Sequence, residues 1–404
     1  MQRIIIFMLL ISSLNVFSQE KSMKEVDAIT LDYYDNQQWE ELIDYGENKE
    51  VDYYYFNVRM GIAYFNTRQY HSAEKYFLRA TTKNDGDFAK EYLFWTYFNL
   101  GENILAEKVY DELSEPVKKQ IDYKKTAVEY VYVEGGIKTS NVTNIENTFY
   151  GNVMLKHRLG DNIRVLHSIN LLSQNQSFQD YNSFQYHIFV LYYFKTSSIG
   201  VGGIFSKSDF NQVSTSDFDQ PGEFLSLNTN SFYAFYSKRI NRLKLNTSIN
   251  YVSQKGTNKI GSLNSPMTSN SDVSESVIIP SIGLNYTPSF LRDRISLGAE
   301  VFIPITDIET YVVVKPYINL FILDSFWVNM SYLQVHDHLF VDYSSEILFN
   351  TPDQSVNRFV TTANYTITKK IVAKLTYTNE NYDYESLNFN YYINSLFLGI
   401  QFKF

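Results

Sequence analysis

Residues 126–404 alternate between apolar and polar side chains with a period of two, and no other feature limits the possible folds of this chain as strongly. From Leu243 to Tyr251, leucine, threonine, isoleucine and tyrosine stand at odd positions, and lysine, asparagine and serine stand at even ones. Successive side chains of a strand point to opposite faces, so this pattern predicts strands with one apolar and one polar face. Such runs last about ten to thirteen residues, which is enough for a tilted strand to cross a lipid bilayer.

The lengths of the connections between these runs follow a second pattern. Counted from Val128, the segment contains about fourteen strands, joined in turn by short and by long polar connections. A transmembrane barrel has short turns on one side and longer loops on the other, so the order predicts an antiparallel transmembrane β-barrel at 126–404. Residues 305–308 form a tight turn where a long loop is expected. The short connections are Leu159–Asn162, Lys195–Ser198, Ile240–Asn241, Pro288–Asp293, Leu323–Ser325 and Lys369–Lys370. The long ones are Gln174–Asn182, Asn211–Ser226, Lys255–Ser274, Asp337–Ser355 and Glu380–Asn390.

The final run carries an apolar residue at every second position from Leu396 to the terminal aromatic. It resembles the C-terminal sorting strand of bacterial outer-membrane barrels, and the resemblance implies recognition by the barrel assembly machinery. The residues that carry it are Leu398, Ile400, Phe402 and Phe404. The aromatic content of 17% agrees with the aromatic girdles of such barrels.

Residues 1–18 have the pattern of a signal peptide. Arg3 provides a positive start, Ile4–Leu14 is a short apolar core, and Val16–Ser18 offers a small-residue cleavage context. The alternatives are a membrane anchor or a buried first helix. No later stretch approaches the ~18 apolar residues of a transmembrane helix, so we expect an exported chain that can occupy a membrane only as a closed barrel, in contact with outer-membrane lipids.

Residues 19–125 are charged and lack the alternation, and they predict a periplasmic helical module. Its central part, Tyr53–Asp87, resembles a tetratricopeptide repeat, and the residues that match are Gly61, Tyr64, Ala73, Phe77 and Ala80. The spacing returns about 33 residues later at Tyr97, Ala106 and Tyr110, with Phe94 in place of the glycine and Gly101 in the inter-helix turn. We therefore expect two to three repeats, which would dock a periplasmic partner through residues 20–125. An ordinary helical hairpin is the alternative.

The sequence gives no support for catalysis, a cofactor or a metal. The chain has no cysteine, no glycine-rich phosphate loop and no nucleophile elbow. His167 and Ser168 are neighbours on a strand, so they point to opposite faces and cannot form a dyad. His336-Asp337-His338 is the only local histidine cluster, and a solvated strand end explains it better than a metal site. The net charge of −9 argues against a nucleic-acid partner.

Successive side chains of a strand point to opposite faces, so the odd or even position of a residue (its parity) predicts which face it occupies. Applied to the charged residues, parity predicts a mildly basic lumen. In an open barrel such a lining would favour anions, whereas in a narrow barrel the same charges would pair with loop carboxylates and close the lumen. The predicted lumen-lining residues are Lys156, Arg164, Lys244, Glu300, Lys315, Arg358 and Lys374.

The chain combines a signal peptide, a few degenerate repeats and a barrel that ends in an aromatic residue. This combination resembles the YaiO-like outer-membrane β-barrel family. The fold class we expect is therefore α + β multidomain, with a short repeat module before a barrel of about fourteen strands. The resemblance implies a non-enzymatic role in envelope or surface-polysaccharide transport or assembly, in the bacterial outer membrane with the repeats in the periplasm. The alternatives are a barrel-embedded lipid- or glycan-modifying enzyme and a closed structural barrel without a pore.

Overall fold

The computed structural model describes residues 23–404 except 122, 143–144, 177–178, 213–221, 263–264, 308, 335–353 and 385–388. The predicted signal peptide at 1–18 and the cluster His336-Asp337-His338 lie outside the described residues. The chain divides into two compact units. One comprises Met1–Lys124 with Ser289–Asp293, and the other comprises Lys125–Pro288 with Arg294–Phe404.

Residues 23–121 of the first unit, all of which the structure describes, form seven consecutive α-helices. None of the described helices is long and apolar enough to cross a membrane. Consecutive helices from α2 to α6 pack against one another, and their apolar faces form one continuous core. The helices are α1 (23–35), α2 (Trp39–Gly46), α3 (Tyr54–Asn66), α4 (Tyr70–Lys83), α5 (Asp87–Asn99), α6 (Asn103–Glu112) and α7 (Glu115–Ile121).

Gly61 is the point of closest approach between α3 and α4. A Cβ atom built on Gly61 would lie 2.6 Å from a ring carbon of Phe77, which is fully buried. Phe77 stacks in turn on Tyr92 of α5, and Tyr64 stacks on Tyr76. Ala73 and Ala80, the other two predicted packing residues, are also fully buried. Between α5 and α6, Gly101 has a φ of +73°, the left-handed conformation that glycine adopts without strain.

A polar network joins α1 to α3 in this unit. Tyr53 Oη donates to Asp27 Oδ1 at 2.8 Å, and Arg59 Nη1 donates to the same oxygen at 2.8 Å and to Thr30 Oγ1 at 3.1 Å. Desolvation opposes ionisation of Asp27, but the hydrogen bonds from Tyr53 and Arg59 outweigh it and hold the pKa of the carboxyl below its ordinary value. Burial, followed by the bond to Asp27, raises the pKa of Tyr53 to about 12.

This network predicts a small acid sensitivity of the helical unit. Because the folded pKa of Asp27 is depressed, its contribution to stability is present above the unfolded pKa and is lost as pH falls through the folded value. The carboxylate is 43% exposed, so solvent screening limits the contribution to below about 1 kcal/mol. We expect Asp27→Asn to lower helix stability at pH ~7 and to lower it less at pH ~3, which is below the unfolded pKa of about 3.9, because part of the stabilisation by the carboxylate is then lost. Urea unfolding of the full chain, followed by helical circular dichroism at both pH values, measures this. Asp35→Asn, at an exposed position of the same helix, is the control.

The second unit is a closed antiparallel barrel of fourteen strands, which confirms the predicted barrel and its strand number. Each strand pairs with its neighbours in sequence, and β1 pairs with β14 to close the ring. The strands are β1 (Val128–Ser140), β2 (Ile145–Arg158), β3 (Ile163–Gln176), β4 (Gln179–Phe194), β5 (Ser197–Gln212), β6 (Gly222–Ile240), β7 (Leu243–Ser262), β8 (Ser265–Tyr286), β9 (Ile295–Phe302), β10 (Val313–Leu323), β11 (Phe326–Gln334), β12 (Gln354–Thr368), β13 (Ile371–Tyr384) and β14 (Phe389–Lys403).

The short turns lie where the sequence predicts them. Three of them use non-glycine residues with positive φ: Lys195 at 53°, Asn241 at 55°, and Arg292 and Asp293 at 50° and 59°. This is the local twist that tight hairpins require. At the predicted exception, 305–308, the backbone N–H of Thr306 donates to the carbonyl of Glu309, as in a tight turn, and residue 308 itself lies outside the described residues. We call the end of the barrel that carries the short turns the turn end, and the other the loop end.

Several of the predicted long loops are shorter in the structure than in the sequence interpretation, and Lys255–Ser274 shows this most clearly. Most of the predicted loop Asp337–Ser355 lies outside the described residues. Strand β7 continues to Ser262 and β8 resumes at Ser265, so most of the predicted loop is a paired hairpin. The prediction of a long loop there was wrong because the sequence analysis recognised a strand only where one face was apolar. Backbone hydrogen bonds hold a hairpin together even where both faces are polar.

Candidate functional site

The two faces of the barrel differ in chemistry. On the outer face, large apolar side chains are half exposed on nearly every strand; examples are Val133, Phe149, Val153, Leu171, Phe184, Val201, Ile249, Ile282, Leu375 and Leu398. On the inner face, buried polar side chains recur; examples are Asn152, Ser168, Asn170, Gln185, Ser206, Thr229, Asn250, Ser281 and Asn364. The predicted sorting residues Leu398, Ile400, Phe402 and Phe404 belong to the outer face.

The seven predicted lumen residues all lie on inward parity positions, but the structure does not gather them into one site. Arg164 and Glu300 are buried, at 1% and 6% exposure. Lys315 stands opposite Glu300 in the register of β10 and β9. Lys374 Nζ lies 4.4 Å from the centre of the Tyr132 ring. Lys156 lies beside Glu129, and Arg358 lies beside Glu380. Lys244 stands opposite Arg239 in the register of β7 and β6.

One charged cluster surrounds Glu129 near the turn end. Its carboxylate lies 3.1 Å from Lys156 Nζ and 4.0 Å from Arg158 Nη2, and it accepts a hydrogen bond from Arg164 Nε. Arg164 Nη1 also donates to the carbonyl oxygen of Gly160 at 2.9 Å. Glu129 is at an odd position of β1, whose even positions face inward. A register shift between Val128 and Tyr130 accounts for its inward direction, since a bulge re-aims the side chain beside it.

A second charged cluster lies on the inner face toward the loop end. Glu380 is 1% exposed and forms an ion pair through each of its carboxylate oxygens. One oxygen lies 3.2 Å from Lys138 Nζ, and the other lies 2.6 Å from Arg358 Nε. Lys138 is itself only 5% exposed. Nearby, the rings of Tyr382 on β13 and Tyr391 on β14 stack with their centres 5.1 Å apart. Two cations on one buried carboxylate form an ion triad that ties β1, β12 and β13 together, with Lys138 buried and Arg358 18% exposed.

An apolar arc occupies part of the inner face between the polar side chains. It runs from β5 to β11 and is almost completely buried; its members are Ile204, Tyr233, Val252, Val277, Ile279, Phe302, Val313 and Leu333. His187 also lies inside, 3% exposed, with Nε2 hydrogen bonded to Tyr233 Oη. His187 stands at an odd position of β4, and the odd positions of this strand face inward.

The remaining strand histidines form an outward-facing pair. His157 Nε2 and His167 Nε2 are 3.2 Å apart, and His167 Nδ1 contacts Tyr186 Oη at 2.8 Å. Ser168 points inward and donates to Asn152 Oδ1 at 2.9 Å, so it forms no dyad with His167, as predicted. Among the described residues, no group of three or more potential metal ligands comes together.

Sequence reasoning missed four of the inward charges that organise these clusters. Glu129 stands at an outward parity position, and only the bulge places it inside. Glu380 was assigned to a long loop because the residues around it are polar on both faces. Lys138 and Arg158 stand at inward parity positions of β1 and β2, so parity applied to every strand would have found both.

No protein-family model and no curated protein sequence matches this chain. Among solved structures, the CymD monoaromatic hydrocarbon channel is similar at 8% identity and a TM-score of 0.44, over 69% of this chain and 89% of that one. The translocator domain of the autotransporter NalP from Neisseria meningitidis is similar at 10% identity and 0.41, over 72% and 93%. A Pseudomonas aeruginosa FadL homologue is similar at 10% identity and 0.40, over 69% and 90%. At these values the likeness assigns neither a family nor a function to this chain.

Proposed function

We propose that this chain is a bacterial outer-membrane barrel that conducts a hydrophilic solute or a surface polymer, and that it is not an enzyme. The observation that carries the proposal is the opposition of the two faces of a closed barrel, with half-exposed apolar side chains outside and buried polar and charged side chains inside. A soluble protein rarely exposes apolar patches above a few hundred Å², whereas a barrel in lipid requires an apolar belt.

The outer face gives this proposal a direct mutational test. Leu398 of β14 is 61% exposed and lies within the belt. We expect Leu398→Arg to destabilise the folded barrel in lipid by about 2–4 kcal/mol, because a charge near the bilayer midplane is costly. In detergent-free aqueous buffer the same exposed substitution would cost little. Leu159→Arg, in a turn and 68% exposed, is the matched control. Equal unfolding midpoints of the two variants in lipid vesicles would contradict a membrane location of the belt.

Conduction is tested in planar bilayers with the purified full chain. The chain has no cysteine, so a single cysteine can be placed by substitution. Lys244→Cys lies on the inner face at the turn end, and Lys238→Cys lies on the outer face of the adjacent strand. We expect a bulky thiol reagent to reduce the current through Lys244→Cys and to leave the current through Lys238→Cys unchanged.

Absence of any current would contradict transport and support the second candidate, a closed structural barrel. The dense burial of the inner-face side chains favours that candidate.

A more specific proposal names the transported polymer and the role of the helical unit. We propose surface-polysaccharide transport or assembly, with helices α1–α7 in the periplasm as a repeat module that recruits a partner. The support is the sequence resemblance to YaiO-like barrels and the consecutive packing of the helices around one core. Deletion of residues 20–125, with the signal peptide kept, should abolish partner pull-down and alter the surface polymer while leaving bilayer current. Unchanged pull-down and polymer would contradict recruitment.

A further inference from the structure

Inward-facing charges are distributed unevenly along the barrel axis. Within three residues of the strand ends at the turn end, the inner face carries seven cations and a single carboxylate, Glu129, among the residues that the structure describes. Farther from the turn end, the described inward-facing cations do not outnumber the carboxylates. The cations there are Lys138, Lys315 and Arg358, and the carboxylates are Glu134, Glu275, Glu300 and Glu380. The seven cations, which we call the basic ring, are Lys156, Arg158, Arg164, Arg239, Lys244, Lys374 and Lys403.

Part of the basic ring has a structural role. Lys156, Arg158 and Arg164 surround Glu129, and Arg164 is completely buried by this carboxylate and by turn carbonyls. These three residues hold the β2–β3 turn against β1. Their ion pairs neutralise only one of the positive charges, so the field of this wall remains positive.

The other lysines of the ring are placed to meet a ligand. The structure gives Lys244, Lys374 and Lys403 no carboxylate partner among the described residues. The ammonium group of Lys374 instead lies over the ring of Tyr132. This ring packs against Gly399, where an added Cβ would lie 2.5 Å from a ring carbon. Lys403 stands opposite Tyr130 in register, and Tyr130 stands opposite Lys156 on its other side. Ammonium groups and tyrosine rings thus line one wall of the mouth in alternation.

We propose that the turn end of the lumen is a recognition site for polyanions that carry phosphate or other oxyanion groups. A narrow mouth lined by one sign of charge with low-dielectric walls focuses the field and concentrates ions of the opposite sign. Lysine and arginine rings serve anion and phosphate pores in this way. The ring spans six strands, so a ligand with several anionic groups engages it better than a monovalent ion. The proposal specifies the solute class of the proposed transport function and in that sense rests on it, although binding itself does not require conduction.

Binding of pyrophosphate to the full chain in detergent, measured by isothermal titration calorimetry, tests the site. We expect binding that weakens as ionic strength rises, and at least a tenfold loss of affinity (about 1.4 kcal/mol) in the triple variant Lys244→Gln, Lys374→Gln, Lys403→Gln. The matched control is Lys207→Gln, Lys238→Gln, Lys255→Gln, which removes the same charge from exposed outer-face positions. Circular dichroism and the unfolding midpoint establish that both variants are folded.

The outcomes separate this site from transport. Absence of pyrophosphate binding in the parent chain, full affinity in the inner triple variant, or an equal loss in the outer triple variant would each overturn the site. Binding that depends on the inner lysines, together with no bilayer current, would uphold the site and contradict transport. In a conducting chain, a salt gradient should give a reversal potential that favours anions, and the inner triple variant should shift it toward cations. Cation preference in the parent chain would also overturn the site.

Discussion

Replacing Glu380 by glutamine is expected to destabilise the barrel more than any other single neutralisation of a carboxylate. The change leaves the buried Lys138 and the partly buried Arg358 on the inner face without the carboxylate that both now contact. Removing one partner of a buried ion pair costs about 3–5 kcal/mol, because the remaining charge keeps its desolvation penalty. Guanidinium unfolding in detergent micelles, followed by the strand signal in far-ultraviolet circular dichroism, measures the loss.

Two further variants separate the triad from general effects of charge. Asp209→Asn breaks an exposed outer-face pair with Lys207, whose atoms are 3.0 Å apart, and should cost less than about 1 kcal/mol. Adding Lys138→Met to Glu380→Gln should recover part of the stability, since it removes one of the two stranded cations. A cost of Glu380→Gln no greater than that of Asp209→Asn, with no recovery in the double variant, would show that the triad does not stabilise the barrel.

The second large effect is expected at Gly61 in the helical unit. Gly61→Leu must place a whole side chain where Phe77 already lies, and Phe77 is fully buried and stacked on Tyr92. Overpacking of this kind typically costs about 1–3 kcal/mol and occasionally more, enough to separate α3 from α4. Thermal scans of the full chain should show early loss of the helical signal while the strand signal persists.

Matched substitutions show whether the contact is the cause. Gly86→Ala places its Cβ beside an exposed side-chain oxygen at a φ of −70°, and it should leave the helical midpoint nearly unchanged. Gly61→Ala combined with Phe77→Leu should be more stable than Gly61→Ala alone, because the smaller side chain makes room for the new Cβ. The absence of such recovery would mean that the strain arises elsewhere than at the Gly61–Phe77 contact.

The barrel could be predicted from sequence because its signal repeats in every strand. Alternation, the order of short and long connections and the terminal stripe each indicate the same closed sheet, so an error in one strand does not alter the fold. The inner face was only partly predictable, since parity gives a direction but not a partner. Parity placed Lys374 inside, but the ring of Tyr132 meets it only because Gly399 has no side chain to hold the two apart.

Two kinds of local event defeated the sequence interpretation of the site. A bulge reverses parity at Glu129 without leaving any mark in the residue pattern. A hairpin that continues beyond the apolar belt, as β7–β8 and β13–β14 do, has no amphipathic face to indicate it, and Glu380 was lost from the prediction for that reason. Neither event depends on composition, and both are determined by backbone pairing.

The seam between β1 and β14 has a consequence for the order of folding. It joins Tyr130 to Lys403 and Ser140 to Ile393, the most distant pairings in the sheet along the sequence. Bringing such remote segments together carries the largest loop-closure entropy of any pairing in the ring, and contacts of this kind form slowly. Until β14 is in place, every partial sheet has two open edges that can pair with other chains. We therefore expect closure of this seam to be the slow step, during which the unfinished barrel most needs protection from aggregation.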